Sequence, residues 1–383
     1  MRLSADCTCS ANRDMTKTIL VNEIDAHTER QQWNDFVAEA PDFSLLQSYE
    51  WGEFKEQLGW KAIRLAARQE GRITAAAQLL IKPAPLGLFS VGYVPRGPLV
   101  DWEDRTTTTA LLEALHGESR RHRAIFTKIE PPVLHSTEAH GCLQQYGFRA
   151  SPYANQPRAT IAVDLTQDLD TILLQMRKQT RRDIRRAGRK GVTVRRGGLE
   201  DLPAFYKLME ITGQRGEFSP RMREYYRHEW QTFARSKQSV LLMAFYQDQL
   251  LAMQMAYYFG KHAAAFHGAS SREHTKLCPN HLLVWEAIKW AKALGCETYD
   301  LWGIPPEVGQ AVHEGREPPT PRRTDGLWGV YHFKSGFSKD IVYYVGAYDS
   351  VYFPFLYRLI TNKFLNPNRL DQIAVWLDTL RLA

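Results

Sequence analysis

The sequence predicts an α/β (α+β) protein made of two tandem units that share one order of secondary-structure elements. Three observations support this prediction: a repeated hairpin–helix–strand pattern, one concentrated basic segment, and a chain length that suits two domains. At 383 residues, the chain would form about two domains of roughly 150 residues each. The 44% hydrophobic and 11% aromatic composition excludes disordered and collagen-like chains, because those classes lack the apolar residues of a core.

The first unit opens with a predicted β-hairpin. Apolar runs at 63–68 and 73–81 flank a polar turn that contains glycine, a combination typical of two paired strands. A helix over about 108–122 then leads into a strand over 124–129. The proline pair at 131–132 ends this strand, because proline cannot donate to a sheet ladder.

The second unit repeats the same elements in the same order. Apolar runs at 240–246 and 250–259 predict its hairpin, and a helix over about 281–294 leads into a strand over 297–302. A second proline pair at 305–306 follows that strand. Duplication of one α/β unit explains both the order and the similar spacing, and chance coincidence is the alternative.

These patterns define the predicted domain boundaries. We expect a flexible N-terminal tail at 1–16, a first domain at 17–165 and a second domain at 166–348. A C-terminal helix at 360–383 is expected to pack on the first domain, in preference to a membrane surface, because its apolar residues share one face. Those residues are Leu370, Ile373, Leu377 and Leu380.

The charge of the chain is concentrated in one segment. The formal net charge is +7, but ten basic residues and one acidic residue give 177–196 a charge of +9, so the rest of the chain sums to −2. Apolar residues at three- and four-residue intervals predict a helix there: Leu173, Met176, Thr180, Ile184 and Ala187. Like charges four residues apart destabilise a helix. The segment is therefore either a solvated helix or a contact for the phosphates of RNA or of a nucleotide-linked substrate.

Several protein classes are disfavoured by what the sequence lacks. No run approaches the roughly 18 apolar residues of a membrane span, and the N-terminus has no apolar core of a signal peptide. The five cysteines, at 7, 9, 142, 278 and 296, are too scattered for a disulfide framework or a four-ligand zinc site. Hydrolase, NTPase and zinc-enzyme signatures are also absent. We expect a cytoplasmic protein of a reducing compartment, without a metal.

Four stretches of the sequence resemble a known family. They are Gln47-Ser-Tyr-Glu-Trp51-Gly-Glu-Phe-Lys55 with Gly59-Trp60, Gln156-Pro-Arg-Ala-Thr160 with Val163-Asp-Leu165, the basic run 178–192, and Tyr331-His-Phe333-Lys334-Ser-Gly336-Phe337. In this order they resemble the Fem-type (FemABX) aminoacyl-tRNA-dependent peptidyltransferases, which build the side chains and cross-bridges of bacterial peptidoglycan. The resemblance covers about residues 43–348.

The resemblance implies a fold, an activity and partners. It implies two domains related to the GNAT acyltransferase fold, and transfer of an amino acid from its tRNA ester to the side-chain amine of a peptidoglycan stem peptide. Aminoacyl-tRNA would be a co-substrate, and no cofactor would be needed. The acceptor would be a UDP-linked or a lipid-linked precursor, the latter bringing a monomeric protein to the inner face of the membrane. Because 187–225 is too short for an inserted coiled-coil arm, the chain resembles the short, FemX-like branch.

The resemblance also implies substrate-binding residues. Lys55, four positions after Trp51, and the run from Ser219 through Arg221 to Tyr225 would grip the precursor's phosphates and nearby groups. Serine replaces the family's threonine in that run. A planar arginine and a point-charged lysine suit phosphate. A tyrosine that contacts substrate in the FemX branch falls on His267, for which a structural role is expected. On the basic segment, the residues expected to bind tRNA are Arg181, Arg182, Arg185 and Arg189.

Three residues are expected at the reacting centre on the same grounds. Lys334 would supply positive charge where the oxyanion develops or near the terminal phosphate of the tRNA, and Phe333 would pack or stack beside it. Glu130, at the end of the first central strand, would accept a hydrogen bond from the acceptor amine. Proton transfer through the 2′-hydroxyl of the tRNA is the alternative, and it would require no protein base.

Two other functions compete with this interpretation. A CoA-dependent GNAT N-acyltransferase would need a glycine-rich loop between a strand and a helix. The only similar run, 186–191, lies instead between the basic helix and a strand. A non-catalytic RNA-binding module would explain the basic segment but not Lys55 with Arg221. The amino acid transferred and the choice between soluble and lipid-linked acceptor stay open at this stage.

Overall fold

A computed structural model describes residues 19–361, except positions 26, 43, 85–86, 217–218 and 320–325. The predicted N-terminal tail lies outside the described residues, and so does the predicted C-terminal helix apart from positions 360 and 361.

The first half of the chain contains six strands and four helices in the described residues. In chain order they are β1 (Leu20–Glu23), α1 (Arg30–Ala38), α2 (Tyr49–Gln57), β2 (Lys61–Gln69), β3 (Arg72–Pro83), β4 (Ser90–Val94), α3 (Arg105–Arg121), β5 (Ala124–Ile129), α4 (Thr137–Gln145) and β6 (Arg149–Ala150). Side chains cap three of these helices, where Ser48, Asp104 and Ser136 each accept a hydrogen bond from a first-turn N–H.

The second half begins with β7 and ends with a short helix. Its elements are β7 (Ala159–Asp164), α5 (Leu169–Gln175), α6 (Lys178–Arg189), β8 (Thr193–Gly197), α7 (Leu202–Gly216), α8 (Arg223–Arg235), β9 (Ser239–Tyr246), β10 (Gln249–Phe259), β11 (His262–Ser270), α9 (Pro279–Ala293), β12 (Thr298–Ile304), α10 (Pro306–His313), α11 (Gly326–Lys334), β13 (Asp340–Tyr343), β14 (Tyr348–Val351) and α12 (Pro354–Thr361).

The described strands form two seven-stranded sheets with a common plan. The first has the order β1-β2-β3-β4-β5-β14-β6, and the second has the order β13-β7-β12-β11-β10-β9-β8. In each sheet an antiparallel run of four strands is followed by a parallel pairing, of β4 with β5 in the first sheet and of β11 with β12 in the second. In each parallel pair the connection contains a long helix, α3 or α9. The predicted repeat of two α/β units is therefore confirmed.

The two sheets do not divide the chain at residue 165. Strand β7 lies in the second sheet, where it pairs with β12 on one side and with β13 on the other. Strand β14 returns to the first sheet and pairs with β5 and β6. The boundary expected after residue 165 would assign β7 to the first domain, whereas β7 belongs to the second sheet. Its partners lie more than a hundred residues further along the chain, so local pattern could not reveal this pairing.

The predicted basic helix is interrupted. The structure has α5 and α6 in its place, and Met176 between them has an extended conformation with ψ of 156°. The Nη1 atom of Arg181 donates to the carbonyl oxygens of Leu174 (2.8 Å) and Met176 (2.6 Å). The guanidinium thus satisfies carbonyl groups that the end of α5 leaves without helical partners. The break allows Met176 to be buried in the core of the second half.

A shared hydrophobic core joins the two halves. Helix α2 of the first half packs on α8 of the second, with the rings of Phe54 and Tyr225 5.0 Å apart and those of Trp51 and Phe233 6.2 Å apart. Helices α7 and α8 bury residues in this same core. The described part of the segment between β8 and β9 therefore has no projecting arm, as predicted. None of the described helices combines the length and apolar character that a membrane crossing requires.

Candidate functional site

The strands of the parallel pair in the second sheet diverge after three residue pairs. Strands β11 and β12 pair only between residues 262–264 and 298–300. Beyond Asp300, β12 continues along β7, while β11 continues along β10 as far as Ser270. Trp302 sits at the point of divergence with a positive φ of 68°. A tryptophan rarely adopts this conformation, so packing holds the backbone here in a strained form.

Lys334 lies at this divergence. It is the last residue of α11, and its Nζ donates a 2.8 Å hydrogen bond to the carbonyl oxygen of Gly303 on β12. Burial lowers the pKa of Lys334 to about 8, and the nearby Asp300 opposes that shift. The amine is therefore protonated at neutral pH and loses its charge within the accessible pH range. A cation held in this way can stabilise negative charge that develops beside it.

Asp300 is a functional candidate that the sequence analysis missed. Its side chain is 7% exposed, and Oδ1 accepts a 2.6 Å hydrogen bond from the backbone N–H of Trp302. Burial raises its pKa to about 6, with Asp42 adding to the shift and Arg96 and Lys334 opposing it. An acid within a buried strand, two residues before the predicted strand end, was the signal available in the sequence.

Residues of the first half close the other side of this centre. Arg96 is buried, and its Cζ lies 4.1 Å from the centroid of the Tyr344 ring and 5.7 Å from that of Trp302. The hydroxyl of Tyr344 donates to the carboxylate of Asp42. Positive and negative groups from both halves therefore act on Asp300.

Glu130 is close to this centre but is already engaged. Its carboxylate accepts hydrogen bonds from the Tyr93 hydroxyl (2.5 Å) and from the backbone N–H groups of Asn155 (2.6 Å) and Gln156 (3.0 Å). Burial raises its pKa. It lines a small cavity together with Arg96. These contacts tie the segment before β7 to the end of β5, so Glu130 holds the two halves in register.

The turn that follows Lys334 packs directly on the start of α6. The backbone N–H of Arg177 donates to the carbonyl oxygen of Gly336 (2.9 Å), and its guanidinium donates to Oγ of Ser335 (2.9 Å). A Cβ at Gly336 would lie 2.3 Å from Oγ1 of Thr180, so only glycine permits this approach. Phe333 contacts the rings of His281 and Phe337 at 4.9 and 5.2 Å. The structure thus brings together the Phe333–Lys334 pair and the basic helix.

The arginines of α6 differ in their surroundings. Arg182, Arg185 and Arg189 are exposed on one side of the helix, together with Arg186, while Ile184 and Ala187 are buried on the opposite side against α9. Arg181 differs because its guanidinium binds the carbonyl groups at the end of α5. The surface offered to a polyanion is therefore the exposed arginine row at 182, 185, 186 and 189.

A second polar cluster contains the predicted phosphate ligands. Lys55 on α2 is 1% exposed, and its Nζ lies 4.9 Å from the Trp51 ring and 5.2 Å from the Tyr225 ring. The guanidinium of Arg221 lies 4.4 Å from the ring of Tyr225. Burial lowers the pKa of Lys55 well below its ordinary value, Arg221 lowers it further, and Glu229 opposes the shift. Three of the four predicted residues thus share one site between the halves.

The remaining residues near this cluster have clear positions. Ser219 is exposed, close before α8. Glu229 is fully buried, and one of its oxygens lies 2.8 Å from Nε2 of His267. Glu229 was not predicted from the sequence, because its burial among aromatic rings could not be inferred from a polar helix position. The contact fits the expected structural role of His267.

One group of candidate metal ligands occurs among the described residues, next to the Phe333 ring. It comprises Asp183, Cys278 and His281, between α6 and the start of α9.

Comparisons with known proteins agree with this architecture. A family model described as the FemAB family matches residues 28–247 and 241–363. The lipid II:glycine glycyltransferases of Staphylococcus aureus strains MRSA252 and USA300 are each 25% identical over 409 aligned positions, which cover 87% of this chain and 94% of each relative.

Solved structures show the same fold. The crystal structure of FemX is similar with a TM-score of 0.77 and 23% identity, over 89% of this chain and 99% of that chain. A tandem GNAT protein from the clavulanic acid biosynthesis pathway is similar with a TM-score of 0.52 and 12% identity, over 87% and 98% of the two chains. The predicted fold of two tandem GNAT-like units is confirmed.

Proposed function

Because the chain belongs to the FemAB family, we propose that it is an aminoacyltransferase of peptidoglycan synthesis. It would move an amino acid from aminoacyl-tRNA to the side-chain amine of a precursor's stem peptide. The observation that carries this proposal is the placement of Lys334 at the divergence of β11 and β12, where the buried carboxylate of Asp300 acts electrostatically on its amine. This arrangement offers both charge stabilisation and a proton acceptor at one centre.

The acceptor proposed is a lipid-linked precursor. The relatives from S. aureus are named lipid II:glycine glycyltransferases, which supports this class over a soluble nucleotide-linked one. Lys55 and Arg221 lie together between the halves. A guanidinium and a protonated lysine amine both suit a phosphate or pyrophosphate group. Binding through the phosphates would bring the protein to the inner face of the membrane.

The donor proposed is aminoacyl-tRNA. The exposed arginine row of α6 supplies the electrostatic attraction that polyanion binding requires, and the Phe333–Lys334 pair packs at the start of this helix. The terminal nucleotide of the tRNA would then reach the centre at Lys334 while its backbone follows the arginine row.

The chemistry proposed is aminolysis of an ester. The neutral acceptor amine attacks the carbonyl carbon, a C–N bond forms, and the C–O bond to the tRNA ribose breaks. The ammonium of Lys334 stabilises the oxyanion of the tetrahedral intermediate. The amine loses one proton and the leaving ribose oxygen gains one. Asp300, with a pKa near the operating range, is proposed to accept the proton and return it.

A reconstituted assay tests this function. Purified protein would be incubated with a set of charged tRNAs and with both UDP-linked and lipid-linked precursors. The masses of the products would be measured by mass spectrometry. A precursor heavier by an aminoacyl residue, formed only with charged tRNA, is the expected product. Acylation from acyl-CoA without tRNA would contradict the proposal and favour an N-acyltransferase. RNA binding with no transfer to either precursor would favour a non-catalytic module.

A further inference from the structure

We propose that Asp183, Cys278 and His281 form a binding site for a divalent transition metal of the zinc class. Each residue offers one ligand atom, and the three atoms lie within 4.8 Å of one another. Asp183 comes from α6, whereas Cys278 immediately precedes α9 and His281 lies in its first turn. The site would therefore join the basic helix to the helix beneath it.

The spacing of the donors is close to that of a metal site. Ligand atoms about 2.0–2.3 Å from a tetrahedral zinc ion lie roughly 3.3–3.8 Å from each other. The nearest Asp183 oxygen and Nε2 of His281 are already 4.0 Å apart. Cys278 precedes α9 in a left-handed backbone conformation, and this conformation accompanies the placement of its sulfur within 4.8 Å of the ligand atoms of Asp183 and His281. Small side-chain rotations would bring the three atoms to bonding positions.

The neighbouring residues hold the donors as a metal site requires. The Oδ1 atom of Asp183 accepts a 2.9 Å hydrogen bond from the amide of Gln179, while Oδ2 faces His281. The imidazole of His281 packs between the rings of Phe333, at 4.9 Å, and Phe337, at 5.9 Å. Such outer contacts orient the ligating carboxylate and imidazole. Asp183 itself is buried and therefore has few alternative positions.

The donor types select the metal. A thiolate, an imidazole and a carboxylate together suit zinc and its neighbours, and they disfavour magnesium and calcium, which take oxygen ligands. The thiolate and carboxylate carry two negative charges that balance a divalent ion. The competing cation is Arg186, whose guanidinium lies 3.7 Å from Oδ1 of Asp183. This side chain is 49% exposed, so it can turn to solvent when an ion enters.

A metal here would stabilise the surroundings of the Phe333–Lys334 pair without taking part in the transfer. It would fix α6 against α9, and it would fix His281 against the two phenylalanines. The proposal does not depend on the enzymatic activity. A purely hydrogen-bonded trio is the alternative.

Cobalt titration of the full-length protein tests the site. The protein would be stripped with a chelator under reducing conditions and then titrated with Co²⁺, which reports thiolate ligation by its sulfur-to-metal charge-transfer absorption. We expect this absorption to saturate at one cobalt per chain, to disappear on addition of zinc, and to be lost in Cys278→Ser. After reconstitution with zinc, Cys278→Ser should also contain less zinc per chain than the parent protein.

Matched variants show whether cobalt binds at this site or at other cysteines of the chain. Cys142→Ser and the double variant Cys7→Ser/Cys9→Ser should keep the absorption, because their cysteines lie elsewhere in the chain. His281→Gln, checked by circular dichroism for folding, should weaken cobalt binding at least tenfold, as expected for loss of a ligand. An absence of thiolate-bound cobalt in the parent protein, or an absorption that persists in Cys278→Ser, would overturn the proposal and leave the hydrogen-bonded trio.

Discussion

The side-chain amine of Lys334 donates a 2.8 Å hydrogen bond to the carbonyl oxygen of Gly303, at the place where β11 and β12 part. This contact fixes a cation where the pairing of the two strands has ended. The carbonyl group holds Nζ without neutralising it, so the charge stays available to a reacting group. The predictions below follow from this centre, from the phosphate cluster and from the basic helix.

Replacement of Lys334 by alanine should reduce turnover with little change in precursor affinity. Loss of one oxyanion-stabilising group typically lowers kcat by roughly a hundredfold to a thousandfold. Single-turnover and steady-state transfer assays would measure this change. Lys339→Ala is the matched control, because Lys339 is an exposed lysine in the following turn. A Lys334→Ala protein that turns over at the parental rate would remove this residue from the mechanism.

The pH profile of transfer should be bell-shaped. Asp300 has a pKa of about 6 and must be ionised to accept a proton, so the rate rises as pH increases through this value. Lys334 has a pKa of about 8 and must be protonated to stabilise the oxyanion, so the rate falls above it. Because the two groups interact, the measured values belong to the pair.

Two substitutions test whether Asp300 causes the acidic limb of that profile and Lys334 the basic limb. Asp300→Asn should lower the rate and remove the acidic limb. Lys334→Arg should retain some activity and shift the basic limb upward, because arginine stays charged in this range. The profile of kcat/KM from pH 5 to 9 is the measurement. If the acidic limb is unchanged in Asp300→Asn, another group accepts the proton.

Asp300→Asn should also stabilise the fold at neutral pH. The pKa of Asp300 is raised from 3.8 to about 6, so the folded state binds the proton more tightly than the unfolded state. The free energy of unfolding therefore decreases as the pH rises from 3.8 to about 6. The total decrease is about 3 kcal/mol, since each pKa unit corresponds to about 1.4 kcal/mol. Urea denaturation at pH 4 and at pH 7 would show this decrease in the parent and a smaller one in the variant. An equal decrease in both proteins would contradict the assignment.

Loss of the phosphate cluster should weaken precursor binding more than turnover. Arg221→Ala removes a charged donor worth about 1.5–3 kcal/mol, which corresponds to a rise in KM of roughly tenfold to a hundredfold. Lys55→Met, which preserves the packing of a buried chain, should act in the same direction. Arg223→Ala is the control, because Arg223 is an exposed arginine at the start of α8, two residues after Arg221. With a stem peptide that lacks phosphate, Arg221→Ala and the parent protein should have the same KM. A difference in KM that persists with this peptide would mean that the cluster binds another group.

Neutralisation of the exposed arginine row should weaken tRNA binding and flatten its salt dependence. The triple variant Arg182→Gln/Arg185→Gln/Arg189→Gln would be compared with a variant that removes three exposed arginines of the first half, at positions 72, 105 and 121. For every tRNA phosphate that the variant no longer neutralises, the slope of log K against log salt should become shallower by about 0.7–0.9. Filter binding at several salt concentrations is the measurement. Equal slopes in the two variants would show that overall charge, and not this surface, binds the RNA.

Local pattern was sufficient for many elements of the fold. The strand at 124–129 was predicted with the bounds it has, and both hairpins and both long helices were predicted within a few residues. Alternation and helical periodicity are properties of neighbouring residues, so they can be recognised in one sequence. The break at Met176 was missed because the apolar periodicity continues through it. Only the position of α5 against the core requires an extended residue there.

The candidate site depends less on local sequence pattern than the fold does. Lys334, Lys55 and Arg221 were found through motifs, but Asp300 and Glu229 were not. An acidic residue acquires an unusual pKa only when distant parts of the chain bury it, and no local pattern records that burial. The position of Glu130 was predicted, whereas its hydrogen bonds to Tyr93, Asn155 and Gln156 depend on the contact between the halves.

The sequence by itself determined that this protein consists of two repeated α/β units with one strongly basic segment. The order of the elements, their hydrophobic periodicity and their charge are properties of neighbouring residues in the chain. Only the tertiary structure decided that β7 joins the second sheet, that β14 returns to the first, and that Lys334 and Asp300 interact electrostatically where two strands diverge. The physical reason is that strand partners and buried charges depend on contacts between residues far apart in the chain. Their energies become fixed only when the two halves pack together.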